Sequence, residues 1–169
     1  MKSKLLISVA AAFAAATVTQ TTVFVAPVHA DDNTNVWTCR NFGAPTQEPL
    51  GDREGHMLWQ SEWNCLVQSG PLVGGVATGD AAWEFDGPKA NLLTFRLVTR
   101  KPGSVAVVRG TGGTLTLIMT DGKVTGATST GRYDYVLATG DWQRLAGKSE
   151  TWLTKTTGPD EFSCESKVQ

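Results

Sequence analysis

Three side chains in this sequence could move or hold a proton: His56, Arg109 and Glu150. A histidine beside a pocket can act as a general base, and an arginine and a carboxylate can pair with each other or face a polar ligand. We favour simpler roles for all three. In the loop segment 51–56, GDREGH, a solvated or turn-stabilising histidine is the more common arrangement. Arg109 and Glu150 could both reach water near strand ends.

Motifs that would identify a cofactor, a metal or a known catalytic mechanism are missing from the sequence. There is no HExxH, no CxxC and no GxSxG. The glycine-rich segment 109–114, RGTGGT, has Leu115 where a dinucleotide-binding loop needs glycine, and no lysine–serine pair follows it. We interpret it as a turn. A lone histidine does not make an ordinary zinc site by itself, so the sequence predicts neither a cofactor nor a metal.

The first 30 residues have the layout of a secretory signal peptide. Lys2 and Lys4 form a basic start, residues 5–16 are apolar, and residues 28–30 (VHA) resemble a cleavage site. A membrane anchor is the alternative, but threonines and a glutamine interrupt the apolar run before the ~20 residues that a spanning helix needs. We expect cleavage near Ala30, a secreted or periplasmic protein, and no membrane span in the mature chain.

The remaining residues, 31–169, have the size of one domain. Without Lys2 and Lys4, the 15 basic residues become 13 against 16 acidic ones, a net charge of −3. No run of lysine or arginine remains, so nucleic acid and anionic membrane surfaces are poor partners. A small molecule is the partner that the remaining features favour.

Side chains alternate between polar and apolar along most of this part of the chain, which is typical of β-strands. In the clearest run, 57–68, Trp59 and Trp63 share one face, and in a later run Leu93 and Phe95 do the same. No segment shows a convincing amphipathic helix. The other alternating runs occupy residues 36–42, 72–78, 81–86, 91–100, 104–109, 114–120, 124–137, 148–153 and 162–168.

Short turn signals separate these runs. Asp121-Gly122 is the strongest, because a primed hairpin turn requires positive φ at both central residues. Gly79-Asp80 and the segment 110–113 are also predicted to separate strands. Sequential antiparallel strands with tight turns fit either an up-and-down barrel or a β-sandwich. We predict an all-β fold, an antiparallel up-and-down barrel of about eight strands of the lipocalin-like type, since closure removes exposed edges.

The same alternation sorts side chains between the interior and the surface. It drives Arg109 inward from Val105 and Val107, and Glu150 inward from Trp152. Because a buried charge is costly unless it is paired, Arg109 and Glu150 could pair inside the barrel. The inward aromatic side chains, which are the candidates for ligand binding, are Trp63, Trp83, Tyr133, Tyr135 and Trp152.

Cys39, Cys65 and Cys164 all follow the signal peptide, and export would place them where disulfides persist. Cys39 lies in the first strand and Cys164 in the last, so a closed sheet would make a Cys39–Cys164 bridge reasonable. A Cys39–Cys65 bridge between the first two strands is an equal alternative. We expect the remaining thiol to be buried rather than to bridge to another chain.

The stretch from residue 138 to 147, ATGDWQRLAG, lies between two alternating runs and carries Trp142, a candidate to plug one end of a barrel. It resembles the G-T-G-x-F-x-G-x-x-G corner of the allene oxide cyclase and dirigent-like barrels, with Trp142 in place of phenylalanine and Ala138 in place of glycine. This resemblance implies a small eight-stranded barrel, often exported, whose lumen holds a hydrophobic substrate. The acidic and cyclase-site residues of those families have no counterpart here.

Three functions are compatible with these features. The first is binding of a small hydrophobic or amphipathic ligand in the lumen of an exported barrel. The second is a cofactor-free isomerase or cyclase, in which Glu150, Arg109 or a tyrosine would shift a proton. The third is a structural envelope protein whose barrel is filled by its own side chains. An eight-stranded barrel can be filled or can hold one small molecule, and we favour the first function.

Overall fold

A computed structural model of the protein describes residues 33–169, so the predicted signal peptide, residues 1–30, lies outside the described residues. The strands are β1 (Thr34–Asn41), β2 (Thr46–Pro49), β3 (His56–Ser69), β4 (Val76–Asp86), β5 (Lys89–Lys101), β6 (Ser104–Thr120), β7 (Lys123–Ala138), β8 (Ser149–Gly158) and β9 (Glu161–Val168). A 3₁₀ helix between β7 and β8, Gly140–Leu145, is called the corner helix. No helix in this part of the chain is long and apolar enough to cross a membrane.

Eight of the strands close into a barrel. Every neighbouring pair is antiparallel, in the order β1-β9-β8-β7-β6-β5-β4-β3, and β1 pairs with β3 as well as with β9. The ninth strand, β2, pairs with β3 beyond the end of β1. The predicted all-β barrel is therefore confirmed. The sandwich alternative is wrong, because a sandwich keeps two separate sheets whereas here one sheet closes on itself.

The alternation of side chains fills the inside of this barrel. Along β3, Trp63, Cys65 and Val67 are buried, while Leu66 between them is 47% exposed. Because successive residues of a strand point to opposite faces, each barrel strand sends a row of side chains into one shared core. This core is rich in aromatic rings, which bury large apolar areas.

Of the three turn signals named above, one separates two strands. At Asp121 and Gly122, φ is 50° and 75°, the positive values of a primed hairpin turn. The predictions for Gly79-Asp80 and for the segment 110–113 are wrong, since both lie within continuous strands, β4 and β6. The glycines there do not reverse the chain.

Glycines inside the strands make room for aromatic rings. A Cβ atom on Gly79 would lie 2.8 Å from atoms of Trp63, and one on Gly131 would lie 2.3 Å from the ring of Trp152. Real Cβ atoms essentially never approach other heavy atoms within 3.0 Å. The strands therefore need glycine at these two positions for the tryptophans to fit inside the wall.

The corner helix closes one end of the barrel. Its residues Trp142 and Leu145 are fully buried and belong to the core, together with Leu72 from the β3–β4 connection. The Lys101 ammonium lies 5.1 Å from the centroid of the Trp142 ring. We call this end, where β1 begins and β9 ends, the corner end. The opposite end, where β1 ends and β9 begins, is the mouth end.

Candidate functional site

A cavity of about 190 Å³ lies in the half of the barrel toward the mouth end and is partly open to solvent. All eight barrel strands contribute to its wall, so the closure of the sheet creates it. The lining residues are Trp37, Cys39, Asn41, Pro45, Trp59, Ser61, Trp63, Cys65, Trp83, Phe95, Leu97, Leu115, Ala127, Ser129, Tyr133, Trp152, Thr154, Thr156, Phe162 and Cys164.

Three rings from β5, β7 and β8 form a group that we call the aromatic platform: Phe95, Tyr133 and Trp152. The Phe95 and Trp152 rings are 4.9 Å apart and inclined by 12°, and each lies 5.7 Å from Tyr133 at 6° and 18° respectively. Nearly parallel rings at these separations are offset-stacked, the arrangement that aromatic pairs prefer. Part of the cavity wall is therefore made of rings that share one orientation.

The wall carries hydroxyl, amide and thiol groups but no charged side chain. Two of its residues, Tyr133 and Cys164, can ionise. Burial, followed by the negative charge of Glu150, raises the pKa of each well above its ordinary value, so both stay neutral. The cavity is consequently an uncharged environment.

Two pairs of polar side chains on the wall differ in how they are satisfied. Ser129 and Thr154 share a hydrogen bond of 2.7 Å between their hydroxyls. Asn41 and Ser61 have half-buried side chains that form no hydrogen bond with any other group of residues 33–169. Polar groups of this second kind are available to a ligand.

Beneath the cavity, toward the corner end, a buried network surrounds Glu150. As the alternation predicts, this side chain points inward, and it is 0% exposed. The Asn35 amide donates to its Oε1 at 2.8 Å, the Ser166 hydroxyl donates to the same oxygen, and the Tyr135 hydroxyl donates to Oε2. Trp37 Nε1 in turn donates to the Ser166 hydroxyl at 2.8 Å. The carboxylate is thus enclosed by donors and does not line the cavity.

Both tyrosines near Glu150 are held as hydrogen-bond donors. Burial is the main cause that raises the pKa of Tyr135, and the charge of Glu150 adds to it. Tyr133 donates to the Ser166 hydroxyl over a long 3.4 Å. Tyr133 therefore has its ring on the cavity wall and its hydroxyl in the network, whereas Tyr135 belongs to the network alone.

The predicted inward position of Arg109 is wrong, and so is its pairing with Glu150. In the first half of β6 the buried residues are Ser104, Ala106 and Val108, so Arg109 falls on the outer face and is exposed. Its neighbours across the strands are Arg96 and Asp134, which are outer-face residues too. The prediction for Arg109 fails because Val105 and Val107, from which its inward position was inferred, face outward although they are apolar.

His56 is the first residue of β3, and its imidazole is buried on the outer face of the barrel near the mouth end. Nδ1 lies 2.5 Å from Asp52 Oδ1, and Nε2 lies 2.8 Å from Glu84 Oε1. These hydrogen bonds, first that with Asp52 and then that with Glu84, raise the pKa of His56. Arg53 bridges Asp52 and Asp86 at 2.8 Å each. The imidazole thus anchors the β2–β3 loop rather than standing in solvent, and it does not reach the cavity.

The disulfide joins Cys39 and Cys65, which face each other directly across β1 and β3. The Cys39–Cys164 alternative is wrong, because Cys164 stands opposite Trp37 instead. Cys164 is a free thiol on the cavity wall, and it is half-buried rather than buried as expected. All three cysteines therefore lie on the same stretch of wall.

Four of the five predicted ligand-binding aromatics line the cavity: Trp63, Trp83, Tyr133 and Trp152. The alternation pattern gave no indication that polar groups on the wall would be available to a ligand. For Ser61 a signal of the inward position was present, since it falls between Trp59 and Trp63 on the same face of β3. For Asn41, at the last position of β1, the alternation alone did not distinguish a wall residue from the start of a loop.

Comparisons with models of protein families, with curated proteins and with solved structures found no match to this chain.

Proposed function

We propose that the barrel binds a small hydrophobic or amphipathic molecule in its lumen. The observation that carries the proposal is the cavity of about 190 Å³ with aromatic, uncharged walls. Barrels of eight strands have interiors that side chains can fill completely. Space left beside stacked rings and free polar groups is the combination that small-molecule sites use.

The placement of the catalytic candidates favours binding over the isomerase or cyclase alternative. His56, Arg109 and Glu150 do not line the cavity, and Tyr133, whose ring does, donates its hydroxyl to Ser166 in the network beneath. Both oxygens of the Glu150 carboxylate already accept hydrogen bonds from the protein. A general acid or base must come within hydrogen-bond reach of its substrate. The cavity itself argues against a barrel filled by its own side chains.

Ligand screening by tryptophan fluorescence tests the proposal, since five tryptophans line the cavity: Trp37, Trp59, Trp63, Trp83 and Trp152. Ala127→Leu would fill part of the cavity and should abolish any quenching that a ligand causes. Thr130→Leu, three residues along β7 on the exposed outer face, is the matched control and should leave quenching unchanged. No quenching by any lipid, phenolic or terpenoid compound would contradict the proposal.

We further infer that the protein is exported and is secreted or periplasmic after cleavage near Ala30. Support comes from the Cys39–Cys65 disulfide in the barrel wall, since structural disulfides persist in oxidising compartments. The basic and apolar pattern of residues 1–30 is the second support. Mass spectrometry of the protein from its natural host should give a mature chain that starts at Asp31. An intact amino terminus at Met1 would contradict the inference.

Membership of the allene oxide cyclase and dirigent-like barrels is likewise a proposal. Its support is the stretch 138–147, in which Trp142 and Leu145 pack into the end of a closed eight-stranded barrel. It carries no chemistry to this chain, because the acidic residues that those families use have no counterpart in the sequence.

A further inference from the structure

The size of the cavity limits the enclosed part of a ligand to one or two rings. A cavity of about 150 Å³ lined by apolar side chains is known to hold benzene. At about 190 Å³, the lumen of this barrel exceeds that volume by a modest amount. An extended lipid chain or a sterol would need much more space, so the inference that follows, which rests on the proposed binding function, concerns small ring systems.

The aromatic platform favours a flat ligand. Phe95, Tyr133 and Trp152 lie within 18° of parallel and all line the cavity. A planar aromatic ring can join such a stack in the same orientation, and each offset-stacked contact adds to the gain from burial alone. A flexible aliphatic chain gains the burial but not the stacking, and it also loses more conformational freedom.

The walls of the cavity disfavour a charged ligand. An ionised ligand would lose its hydration in a cavity whose side chains are all neutral, and no opposite charge lines the wall to compensate. Glu150, the nearest buried charge beneath the cavity, is negative and fully engaged by its own donors. A carboxylate on the ligand would therefore be repelled as well as desolvated.

Two free polar groups define where a polar atom of the ligand would lie. Asn41 on β1 stands directly opposite Trp63 on β3, so Ser61, two residues from Trp63, is its diagonal neighbour. Neither side chain has a hydrogen-bond partner within residues 33–169, and both are half-buried. In the closed ring of eight strands β3 is four strands from β7, so the pair lies across the lumen from Tyr133.

We propose that the ligand is an uncharged, flat aromatic molecule of one or two rings, which stacks on the aromatic platform and directs a polar atom at Asn41 and Ser61. The polar atom can be a donor or an acceptor, because an amide and a hydroxyl together offer both. This class is narrower than the hydrophobic or amphipathic ligand of the proposed function.

Isothermal titration calorimetry with four probes tests the proposal. Indole is a flat, neutral two-ring donor; indene has nearly the same shape without the N–H group. Indole-5-carboxylate adds a negative charge, and 1-decanol is neutral but aliphatic. We expect indole to bind about tenfold more tightly than indene, the effect of one well-formed hydrogen bond. Indole-5-carboxylate and 1-decanol should bind at least about tenfold more weakly than indole.

Variants assign the preference to the two side chains. Asn41→Ala and Ser61→Ala together should bring the ratio of indole to indene affinity close to one while indene binding persists. Asn91→Ala, which removes an exposed asparagine from the outer face of β5, should leave the ratio unchanged. The ratio does not depend on the fraction of folded protein, so a loss of stability cannot imitate the effect.

The possible failures are distinguishable. Equal affinity for indole and indene in the unaltered protein would overturn the role of Asn41 and Ser61. Tighter binding of 1-decanol, or of indole-5-carboxylate, than of indole would overturn the flat or the uncharged character of the ligand, and the binding function would stand. If none of the four probes binds and the wider fluorescence screen also shows no quenching, both the ligand class and the binding function are overturned.

Discussion

The two ends of the barrel differ in how their inward polar side chains are packed and hydrogen-bonded. At the corner end the space is filled, and Glu150 is surrounded by hydrogen-bond donors from three other strands: Asn35 on β1, Tyr135 on β7 and Ser166 on β9. Toward the mouth end the walls are aromatic and uncharged, space remains, and Asn41 and Ser61 are left without protein partners.

This difference separates stability from binding within one small sheet. A buried charge is tolerated when its hydrogen bonds are complete, and it then ties together the strands that supply them. Empty space inside a core costs stability, and a cavity lined by polar and aromatic groups is where a ligand can use that space. Substitutions at the corner end should therefore reduce the free energy of unfolding, and those at the mouth should chiefly change affinity.

The largest effect is expected from removing the plug of the corner end. Trp142 is 1% exposed, so Trp142→Ala should lower the free energy of unfolding by about 3–5 kcal/mol, the usual cost of truncating a buried tryptophan. Urea denaturation measures it. Trp59→Ala, which truncates a half-buried tryptophan beside the cavity, should cost clearly less. Equal losses for the two variants would break the comparison between the ends.

The next largest loss of stability is expected from removing the buried carboxylate of Glu150. Glu150→Ala leaves the donors of Asn35, Tyr135 and Ser166 without an acceptor and should cost about 3 kcal/mol of unfolding free energy. Glu165→Ala, on the exposed face of β9, is the control and should change stability by less than about 0.5 kcal/mol. Because Glu150 does not line the cavity, the folded fraction of the variant should keep its ligand affinity. A variant of unchanged stability would show that the network contributes nothing.

Adding a methyl group to the wall tests how tightly the tryptophans are held. Gly131→Ala would place a Cβ 2.3 Å from the Trp152 ring and should cost about 1–3 kcal/mol. Gly112→Ala, on the adjoining strand with no atom within 4 Å of the added Cβ, should be neutral within about 0.5 kcal/mol. Thermal unfolding of the two variants gives the difference. Similar melting temperatures would mean that the ring moves aside without cost.

The smallest effect should be the pH dependence that His56 confers. Its pKa is raised in the folded protein by hydrogen bonds to Asp52 and Glu84, while Arg53 and Asp86 are the other charged groups of the cluster. A raised pKa means that its stabilising effect is complete below the unfolded value near 6.5 and is lost as pH rises through the folded value. Wild-type stability should therefore fall as the pH rises above about 6.5, and His56→Gln should show a flatter profile. Parallel profiles would contradict the role of the cluster.

Local patterns in the sequence were sufficient to predict much of the fold. The alternation of residues placed Trp63, Trp83, Trp152 and Glu150 on inward faces, and the Asp121-Gly122 signal located a hairpin. Both depend on interactions between neighbours along the chain, namely the pleat of a strand and the φ values that a tight turn requires. Such features can be read without knowing which strands pair.

The sequence did not predict which side chains face inward where the pairing register between two strands shifts. On β5 the strand is shifted against β4 between Ala82 and Trp83, so Leu92 packs on the core and Leu93 is 52% exposed, opposite to the simple alternation. On β6 the cause is different: the alternation runs unbroken from Ser104 to Arg109, but its outward residues Val105 and Val107 are apolar and so suggested the wrong face. A bulge reverses every later side chain of its strand, and a single sequence does not show where it lies.

By itself, the sequence determined that the chain is all-β, that its aromatic residues share an interior, and that Glu150 points into it, because period-two alternation is a property of the strand alone. The tertiary structure decided that Cys39 bonds to Cys65, that strand glycines hold tryptophan rings, and that a cavity remains beside them. These outcomes depend on distances between residues far apart in the chain, and those distances exist only once the eight strands have closed into one ring.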